Sequence, residues 1–214
     1  KKKEYSAGAI LIFLKKRIRW FIERFILMQL NRKIDYVSCL NPLLAKEHYD
    51  AGLPAAARAL IIGDTYPMDE TMEKAGIDKN YYFNRVGKND KVVLYYSGRM
   101  AAGKGYDLLL AGFSRVKNKE RFKVILGGSG PEEPQVRQMI KDFGLESYVE
   151  LPGWVSREKL YEFLKQADIY VFTRWGKTLS ALALTEVLVF GLPSIVPART
   201  GLAWLAGRSA LVFE

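Results

Sequence analysis

One carboxylate stands within a long apolar stretch of the chain. Glu186 is the only charged side chain in TLSALALTEVLVFGLP, residues 178–193. Apolar residues on both helical faces around it predict a buried helix, which Gly191 and Pro193 would end. An isolated carboxylate is costly in a low-dielectric interior, so Glu186 needs hydrogen-bond donors. An ion pair, a protonated core carboxyl and a polar ligand at the helix would each meet that need.

Two cations lie in a glycine-rich loop, GRMAAGKG, residues 98–105. Arg99 and Lys104, beside flexible backbone and a helix start, are typical of a phosphate site. The spacing also resembles a P-loop, but Gly105 stands where the magnesium-holding Ser or Thr belongs, and neither FKVILGG nor DIYVFT supplies the metal-site Asp. A P-loop nucleotidase is therefore a weaker alternative to a phosphate site of another kind. A further alternative is that Arg99 and Lys104 are simply solvated side chains of a surface loop.

A second glycine-rich loop is GGSGPEE, residues 127–133. A dinucleotide fingerprint that starts at Gly128 accepts Gly130 but then requires glycine where Glu133 stands. The fingerprint therefore fails. The glycines still allow close approach of a ligand or a neighbouring loop, or simply a tight strand-to-helix turn.

Alternating strands and helices must position these loops. Strand patterns KVVLYYSG, FKVILGG, YVELPG, DIYVFT, PSIVPA and ALVF alternate with helical patterns from residue 91 onward. This βαβ order predicts an α/β fold, a Rossmann-like parallel sheet with helices on both faces. Ligands of such sheets bind at the carboxyl ends of the strands, so both glycine-rich loops and the Glu186 helix lie where chemistry is expected.

Composition sets the class of protein. The chain has 214 residues, 49% hydrophobic and 26% charged, as in ordinary globular proteins. A single cysteine, Cys39, excludes an internal disulfide and indicates a reducing compartment; its expected role is that of a small buried hydrophobe. The only histidine, His48, has no companion ligand nearby, so a surface or packing role is expected.

The positive charge is concentrated at the start of the chain. The net charge is +10, and the first forty residues alone carry ten basic and three acidic side chains. This distribution argues against a nucleic-acid-binding face on the main body. Residues 1–33 read as a basic amphipathic helix, suited to an anionic membrane surface; a domain helix with a wet, charged face is the alternative. Its apolar runs are too short to span a bilayer, and no signal-peptide cleavage site follows them.

Three regions are expected along the chain. Residues 1–64 would form a first region, with strands in KIDYVSCLN and ARALIIGD and a helix in PLLAKEHYDAGL. Residues 65–90 have a mixed composition without clear period, which predicts a linker. Residues 91–214 would form the C-terminal domain. Because the chain does not start with Met and stops at ALVFE, we expect it to be a piece of a longer protein.

Several motifs together resemble the retaining GT-B glycosyltransferases of family 4, also called group 1. GRMAAGKGYDLLLAGF is similar to that family's strand, phosphate-binding loop and helix. The segment from VILGGSGPEE through GWVSREKLYEFLKQADIYVFT resembles the next part of the family, with its Gly-Xaa-Gly-Pro turn and Gly-Trp-Val. TEVLVFGLPSIV resembles the end of the family's paired-glutamate motif. The resemblance covers residues 91–214 and, more loosely, KIDYVSCLN. It implies that residues 1–64 are the remnant of an N-terminal, acceptor-side domain and that residues 91–214 are a nucleotide-sugar-binding domain, truncated at its end.

The resemblance implies roles for particular residues. Glu186 would hold the ribose hydroxyls of a nucleotide diphosphate sugar, while Arg99 and Lys104 would neutralise the diphosphate leaving group without a metal. The other implied donor contacts come from backbone and small residues at Gly98, Gly128, Gly130, Trp154, Val155, Leu182 and Ala183. Of these, backbone near Trp154 and Val155 would meet the base, and N–H groups near Leu182 and Ala183 would meet the phosphate, although Trp154 fits a core position equally well.

One position departs from the family pattern. Thr178 stands where the family's first glutamate contacts the transferred sugar, and a hydroxyl cannot supply a negative charge. Lys177 beside it would add a phosphate or sugar contact, or be a surface residue. The departure leaves open a non-catalytic nucleotide-sugar-binding pseudo-enzyme; a sugar epimerase of the same fold is a further alternative.

The resemblance therefore implies a glycosyltransferase, of hexosyltransferase type when intact. It would move sugar from a nucleotide-sugar donor to a glycan or lipid-linked acceptor with retention, as in polysaccharide biosynthesis. We expect the 214-residue piece by itself to bind donor without transferring sugar. No metal or other cofactor and no nucleic acid is expected. The expected location is the cytoplasm, with peripheral attachment at the inner membrane face as an option through residues 1–33.

Overall fold

The computed structural model describes residues 7–63, 65–174, 181–198 and 200–214. The chain forms two compact units, residues 1–63 and 64–214. No helix in the described ranges is both long and apolar enough to cross a membrane.

The first unit contains two helices and a two-stranded parallel sheet. Its elements are α1 (Ala7–Asn31), β1 (Tyr36–Cys39), α2 (Pro42–Asp50) and β2 (Arg58–Ile61), with β1 paired to β2. The Asn41 side chain caps α2 by accepting from the Leu44 N–H at 3.0 Å. Cys39 is 1% exposed, which confirms its expected role as a small buried hydrophobe.

The α1 helix presents large apolar side chains to solvent. Its exposed apolar residues include Leu14, Ile18, Phe21, Ile22 and Phe25, which recur at helical spacing. Exposed basic side chains lie between them, at Lys15, Lys16 and Arg17 among others, and Arg19 pairs with Glu23 at 2.7 Å on the surface. The helix is therefore amphipathic, as the sequence predicts.

The second unit is a six-stranded parallel sheet flanked by helices. Its strands are β3 (Val92–Ser97), β4 (Phe122–Gly127), β5 (Val149–Gly153), β6 (Ile169–Val171), β7 (Ser194–Pro197) and β8 (Ala210–Phe213), in the order β5-β4-β3-β6-β7-β8. Its helices are α3 (Met68–Ala75), α4 (Tyr81–Arg85), α5 (Tyr106–Ser114), α6 (Glu133–Asp142), α7 (Arg157–Gln166), α8 (Leu182–Val189) and α9 (Gly201–Ala206). The α/β class and the parallel sheet are confirmed.

Both faces of the sheet are buried. Tyr95 and Tyr96, adjacent in β3, are almost fully buried and belong to separate hydrophobic clusters. Successive side chains of a strand point to opposite faces, so each cluster lies on one face of the sheet. One cluster includes Leu184 and Val187 of α8, and the other includes Leu110 of α5.

The expectation of an irregular linker over residues 65–90 differs from the structure. These residues form α3 and α4, which belong to the same compact unit as the sheet. Thr71 and Ala75 of α3 are buried. The two helices have only eight and five residues, which is too short for a clear hydrophobic period in the sequence.

Candidate functional site

The order of strands in the sheet reverses between β3 and β6, which is the switch point of the sheet. From β3, the sheet grows outward through β4 and β5 on one side, and through β6, β7 and β8 on the other. The crevice beyond the carboxyl ends of such a strand pair is where open α/β sheets bind ligands. The loop after β3 carries Arg99 and Lys104, and the chain after β6 leads to α8 and Glu186. The loop with the predicted cations and the start of the helix with the predicted carboxylate therefore lie at the same edge of the sheet.

Side-chain hydroxyls hold the loop of residues 98–105. The Tyr106 hydroxyl donates to the Gly98 carbonyl, and the Tyr96 hydroxyl donates to the Lys104 carbonyl. Thr173, just after β6, donates through Oγ1 to the Gly105 carbonyl at 2.7 Å. Three carbonyls of the loop therefore accept hydrogen bonds from buried or half-buried side chains, and these bonds hold the backbone that carries the two cations.

The loop concentrates positive charge. Desolvation lowers the pKa of Lys104 from its ordinary value, and the nearby charges of Arg174 and Arg99 lower it further. Arg99 is exposed and Lys104 and Arg174 are half-buried. Three cations that destabilise each other in the ligand-free chain would be stabilised by an anion.

The glycines of the second loop are required by close backbone packing. A Cβ on Gly128 would lie 1.9 Å from the Gly98 carbonyl oxygen, and one on Gly130 would lie 2.3 Å from that of Met100. The Met100 N–H also donates to the Ser129 carbonyl at 2.9 Å. Of the roles that the sequence left open for these glycines, the structure shows approach of a neighbouring loop.

The two loops line a cavity of about 440 Å³. Its walls include Gly98, Arg99, Gly128, Gly130, Trp154, Val155 and Leu160. Trp154 is 76% exposed, so the alternative that this indole belongs to the core is wrong. The cavity combines an exposed aromatic surface, a cation and glycine backbone, which are chemically suited to a base joined to phosphate.

The α8 helix begins at Leu182. The N-cap residue, Ala181, has no side chain that can accept a hydrogen bond from the first N–H groups of the helix. Leu182 is 61% exposed and Ala183 is half-buried. The helix ends at Val189, and Gly191 follows with φ of 71°, the left-handed conformation expected just after a helix. The predicted stop is confirmed.

Glu186 is buried and has two hydrogen-bond donors. Its residue exposure is 8%, and its Oε1 accepts from the Tyr66 hydroxyl at 2.6 Å and from Arg157 Nη1 at 3.2 Å. Arg157 Nη1 also donates to the Tyr161 hydroxyl at 3.0 Å. Of the alternatives for Glu186, the structure shows an ion pair, supplied by α7 and by the segment before α3.

Some site residues were missed by the sequence reasoning, and two fall outside the described ranges. Arg157 lies in α7, to which the sequence assigned no site residue, Tyr66 lies in the expected linker, and Arg174 lies in the segment that follows β6. The sequence predicted that Glu186 needs hydrogen-bond donors. It could not identify them, because Arg157 and Tyr66 lie 29 and 120 positions away from Glu186 in the chain. Thr178 and Lys177 lie outside the described residues, so their roles remain predictions.

Across the residues that the structure describes, no three His, Cys, Asp or Glu side chains converge as metal ligands. The expectation that the chemistry needs no metal stays a prediction, based on Arg99 and Lys104 as the charges available for a diphosphate.

A family model described as glycosyl transferases group 1 matches residues 78–207, which is more than half of the chain. The chain belongs to the glycosyl transferases group 1 family. The match covers strands β3 to β7, the cationic loop and α8.

Curated relatives of this group 1 chain include two enzymes. Mannosylfructose-phosphate synthase of Agrobacterium fabrum is 33% identical over 158 residues, covering 64% of this chain and 34% of that protein. The GPI3 subunit of phosphatidylinositol N-acetylglucosaminyltransferase from Saccharomyces cerevisiae is 32% identical over 123 residues, covering 53% of this chain and 27% of that protein. The chain therefore spans about a third of the length of the relatives that it matches.

Solved structures of GT-B proteins share the fold. Anabaena HepE in complex with UDP aligns with a TM-score of 0.68 at 16% identity, covering 86% of this chain and 50% of that chain. Sucrose-phosphate synthase from Thermosynechococcus elongatus aligns with a TM-score of 0.64 at 18% identity, covering 92% and 48%. These likenesses show that the group 1 chain has the Rossmann-like GT-B architecture.

Proposed function

We propose that the protein containing this chain transfers a sugar from a nucleotide diphosphate sugar to a glycan or lipid-linked acceptor, with retention at the anomeric carbon. The observation that supports the proposal is that the loop of Arg99 and Lys104 follows β3 and the helix of Glu186 follows β6, the two strands at the switch point of the sheet. A cation pair suits the diphosphate of a nucleoside diphosphate, and a buried carboxylate suits the hydroxyls of its ribose. Family membership and the HepE structures, solved with UDP and with UDP-glucose, support the same ligand class.

The diphosphate and the ribose of the donor each have proposed partners. Arg99 and Lys104 stabilise the diphosphate as it leaves and gains negative charge. The N–H groups of Leu182 and Ala183 bind a phosphate at the start of α8, where the N-cap residue Ala181 supplies no side-chain acceptor. Glu186 accepts from the ribose hydroxyls on the same helix.

The base end and the sugar end use other parts of the site. The base lies against Trp154 and Val155, with Gly98, Gly128 and Gly130 allowing close approach. Thr178 and Lys177 contact the transferred sugar or its phosphate, as the family resemblance implies.

Calorimetric titration of the chain with UDP and GDP tests donor binding. Arg99→Ala is expected to weaken binding by about 1.5 to 3 kcal/mol, the range for a hydrogen bond to a charged group. The matched control is Arg121→Ala, since Arg121 is exposed and directly precedes the amino end of β4. Equal affinities of the Arg99→Ala and wild-type chains would remove the diphosphate role from Arg99.

Transfer is tested on the gene product that contains this chain. Radiolabelled sugar should appear on an acceptor with the donor's anomeric configuration, and Glu186→Ala should reduce its transfer. Nucleotide-sugar binding without turnover would instead establish the pseudo-enzyme that Thr178 leaves open, and release of a free sugar isomer without acceptor would establish an epimerase.

The exposed apolar face of α1 supports attachment to an anionic membrane surface through residues 1–33. Large apolar side chains would enter the interface while Lys15, Lys16 and Arg17 meet lipid phosphates. Liposome flotation should require anionic lipid and should fall when these three residues become Gln. Replacing Lys88, Lys91 and Lys117, which are exposed in the second unit, is the charge-matched control. If the fraction of protein that floats is the same with neutral and anionic lipid, and is unchanged by the α1 substitutions, the membrane role is contradicted.

A further inference from the structure

Arg174 lies at the switch point, next to the end of the cationic loop. It follows the last residue of β6 by three positions, and a Cβ on Gly105 would lie 2.9 Å from its backbone nitrogen. The preceding residue, Thr173, donates through Oγ1 to the Gly105 carbonyl at 2.7 Å. These two contacts fix the backbone of Arg174 beside Lys104, although the two cations follow different strands of the sheet.

Three cations at the switch point, Arg99, Lys104 and Arg174, form no ion pair with any acidic side chain that the structure describes. Residues 169–185 of the sequence contain no Asp or Glu. Desolvation lowers the pKa of Lys104, and the charge of Arg174 lowers it further, by more than the charge of Arg99 does. The positive charge of Arg174 is therefore available to an anionic ligand.

The three cations follow an order along the site. Arg99 lines the cavity of about 440 Å³ together with Trp154, where the base is proposed to lie. Lys104 and Arg174 lie at the other end of the loop, beside Gly105, where α5 begins. In a nucleoside diphosphate, the terminal phosphate is the one farther from the base. The terminal phosphate therefore falls nearer to Arg174 than the first phosphate does.

We propose that Arg174 binds the terminal phosphate of the nucleoside diphosphate, so that the diphosphate bridges the loop after β3 and the segment after β6. A guanidinium can donate two parallel N–H bonds to one phosphate. When the bond between the anomeric carbon and the phosphate oxygen breaks, the electron pair stays on that oxygen, and Arg174 stabilises the charge. The inference rests on the proposed function, because it adds a residue to the proposed diphosphate site.

Calorimetry with UDP and UMP tests this role, because the two nucleotides differ by the terminal phosphate. Arg174→Gln should weaken UDP binding to the 214-residue chain about 10-fold or more, the effect of one hydrogen bond to a charged group. It should weaken UMP binding by no more than about 3-fold, because a more distant charge is screened. Arg174→Lys keeps the charge and should restore part of the UDP affinity. If the chain prefers GDP, the comparison is made with GDP and GMP.

A control variant and a stability measurement separate ligand binding from folding. Arg121→Gln removes one exposed cation just before the amino end of β4, and it should leave both affinities within about 2-fold of wild type. Because Arg174 lies beside the cation of Lys104, Arg174→Gln should keep or raise the melting temperature of the ligand-free chain. A merely structural role for Arg174 would lower the melting temperature and weaken UDP and UMP binding alike.

The outcomes distinguish this inference from the proposed function. If the wild-type chain binds UDP, but Arg174→Gln weakens UDP and UMP binding equally or weakens neither, the assignment of Arg174 to the terminal phosphate is wrong and the donor site stands. If the folded wild-type chain binds neither UDP nor GDP at millimolar concentration, the proposed function is overturned and this inference with it.

Discussion

Thr173 and Gly105 hold the two sides of the switch point together. The Thr173 hydroxyl donates to the Gly105 carbonyl at 2.7 Å, and a Cβ on Gly105 would lie 2.0 Å from the Thr173 carbonyl oxygen. The end of β6 therefore packs directly on the start of α5. This contact sets the position of the cationic loop relative to the chain that leads into α8.

Gly105→Ala should displace the loop and weaken UDP binding. The added methyl meets backbone rather than a flexible side chain, and Gly105 has φ of 84°, which is unfavourable for alanine. We expect a loss of stability of about 1 to 3 kcal/mol, as for strain at a special backbone position, measured by urea unfolding. Affinity for UDP should fall in the fraction that remains folded.

The control for that substitution lies on the same helix. Gly112 is an interior residue of α5, and a Cβ there meets nothing within 4 Å. Gly112→Ala should therefore stabilise the chain by about 0.5 to 1 kcal/mol and leave UDP affinity unchanged. Equal stability of the two alanine variants would contradict the packing argument.

Asp168 joins the amino ends of two central strands, away from the candidate site. Its carboxylate accepts from the Val93 N–H at 2.8 Å, from Asn89 at 2.9 Å and from Arg85 at 3.0 Å. The side chains of the Arg85 and Asp168 pair are 13% and 11% exposed. Asp168→Ala leaves a nearly buried guanidinium unpaired, so we expect a loss of about 3 to 5 kcal/mol of unfolding free energy.

A surface pair gives the comparison for Asp168. Glu162 pairs with Lys159 at 2.7 Å, with both side chains about half exposed. Glu162→Gln should change the unfolding free energy by no more than about 1 kcal/mol. A similarly small loss in Asp168→Ala would show that the buried network does not stabilise the sheet.

Regular local patterns allowed much of the fold to be predicted from the sequence. Alternation of strand and helix gave the parallel sheet, and Gly191 marked the end of α8 because glycine adopts its positive φ readily. The loop with Arg99 and Lys104 was placed correctly at the carboxyl edge, since parallel strands end at one edge. These features depend on neighbours in sequence.

The partners of Glu186 depend on contacts distant in sequence. Tyr66 lies 120 positions from Glu186 and Arg157 lies 29 positions away, so no periodicity relates them. Trp154 shows the same limit, because a large aromatic residue after a strand suits both a core and a cavity wall until its 76% exposure is known. The helices within residues 65–90 were missed because their buried faces, such as Thr71, are short.

Trp154→Ala should separate ligand binding from folding. Because the indole is largely exposed, its removal should change stability by no more than about 0.5 kcal/mol. Stacking of a base on an aromatic side chain contributes about 1 to 3 kcal/mol, so UDP affinity should fall by about 5-fold or more. Phe83→Ala, at a 77% exposed position of α4 in the same unit, should not change UDP affinity. Unaltered affinity in Trp154→Ala would show that the base lies elsewhere.

Lys104 should give UDP binding an alkaline pH dependence. Desolvation, with the charges of Arg174 and Arg99, lowers its pKa below the ordinary 10.5, so it loses its proton earlier than a free lysine as the pH rises. UDP binds the protonated amine, hence affinity should fall through the window below pH 10.5. Lys104→Arg keeps its charge there, and the ratio of wild-type to variant affinity cancels any ionisation of the nucleotide itself.

The stability of the ligand-free chain should respond to pH in the opposite direction. In the same window the unfolded chain keeps the Lys104 proton that the folded chain has released, so unfolding takes up a proton. The contribution of Lys104 to stability therefore rises with pH while its contribution to UDP affinity falls. Lys104→Gln removes the charge repulsion, and it should raise the melting temperature at neutral pH and weaken UDP binding together. A variant that is less stable at neutral pH, or an affinity ratio to Lys104→Arg that is constant from about pH 8 to 10.5, would contradict an uncompensated cation cluster at the switch point.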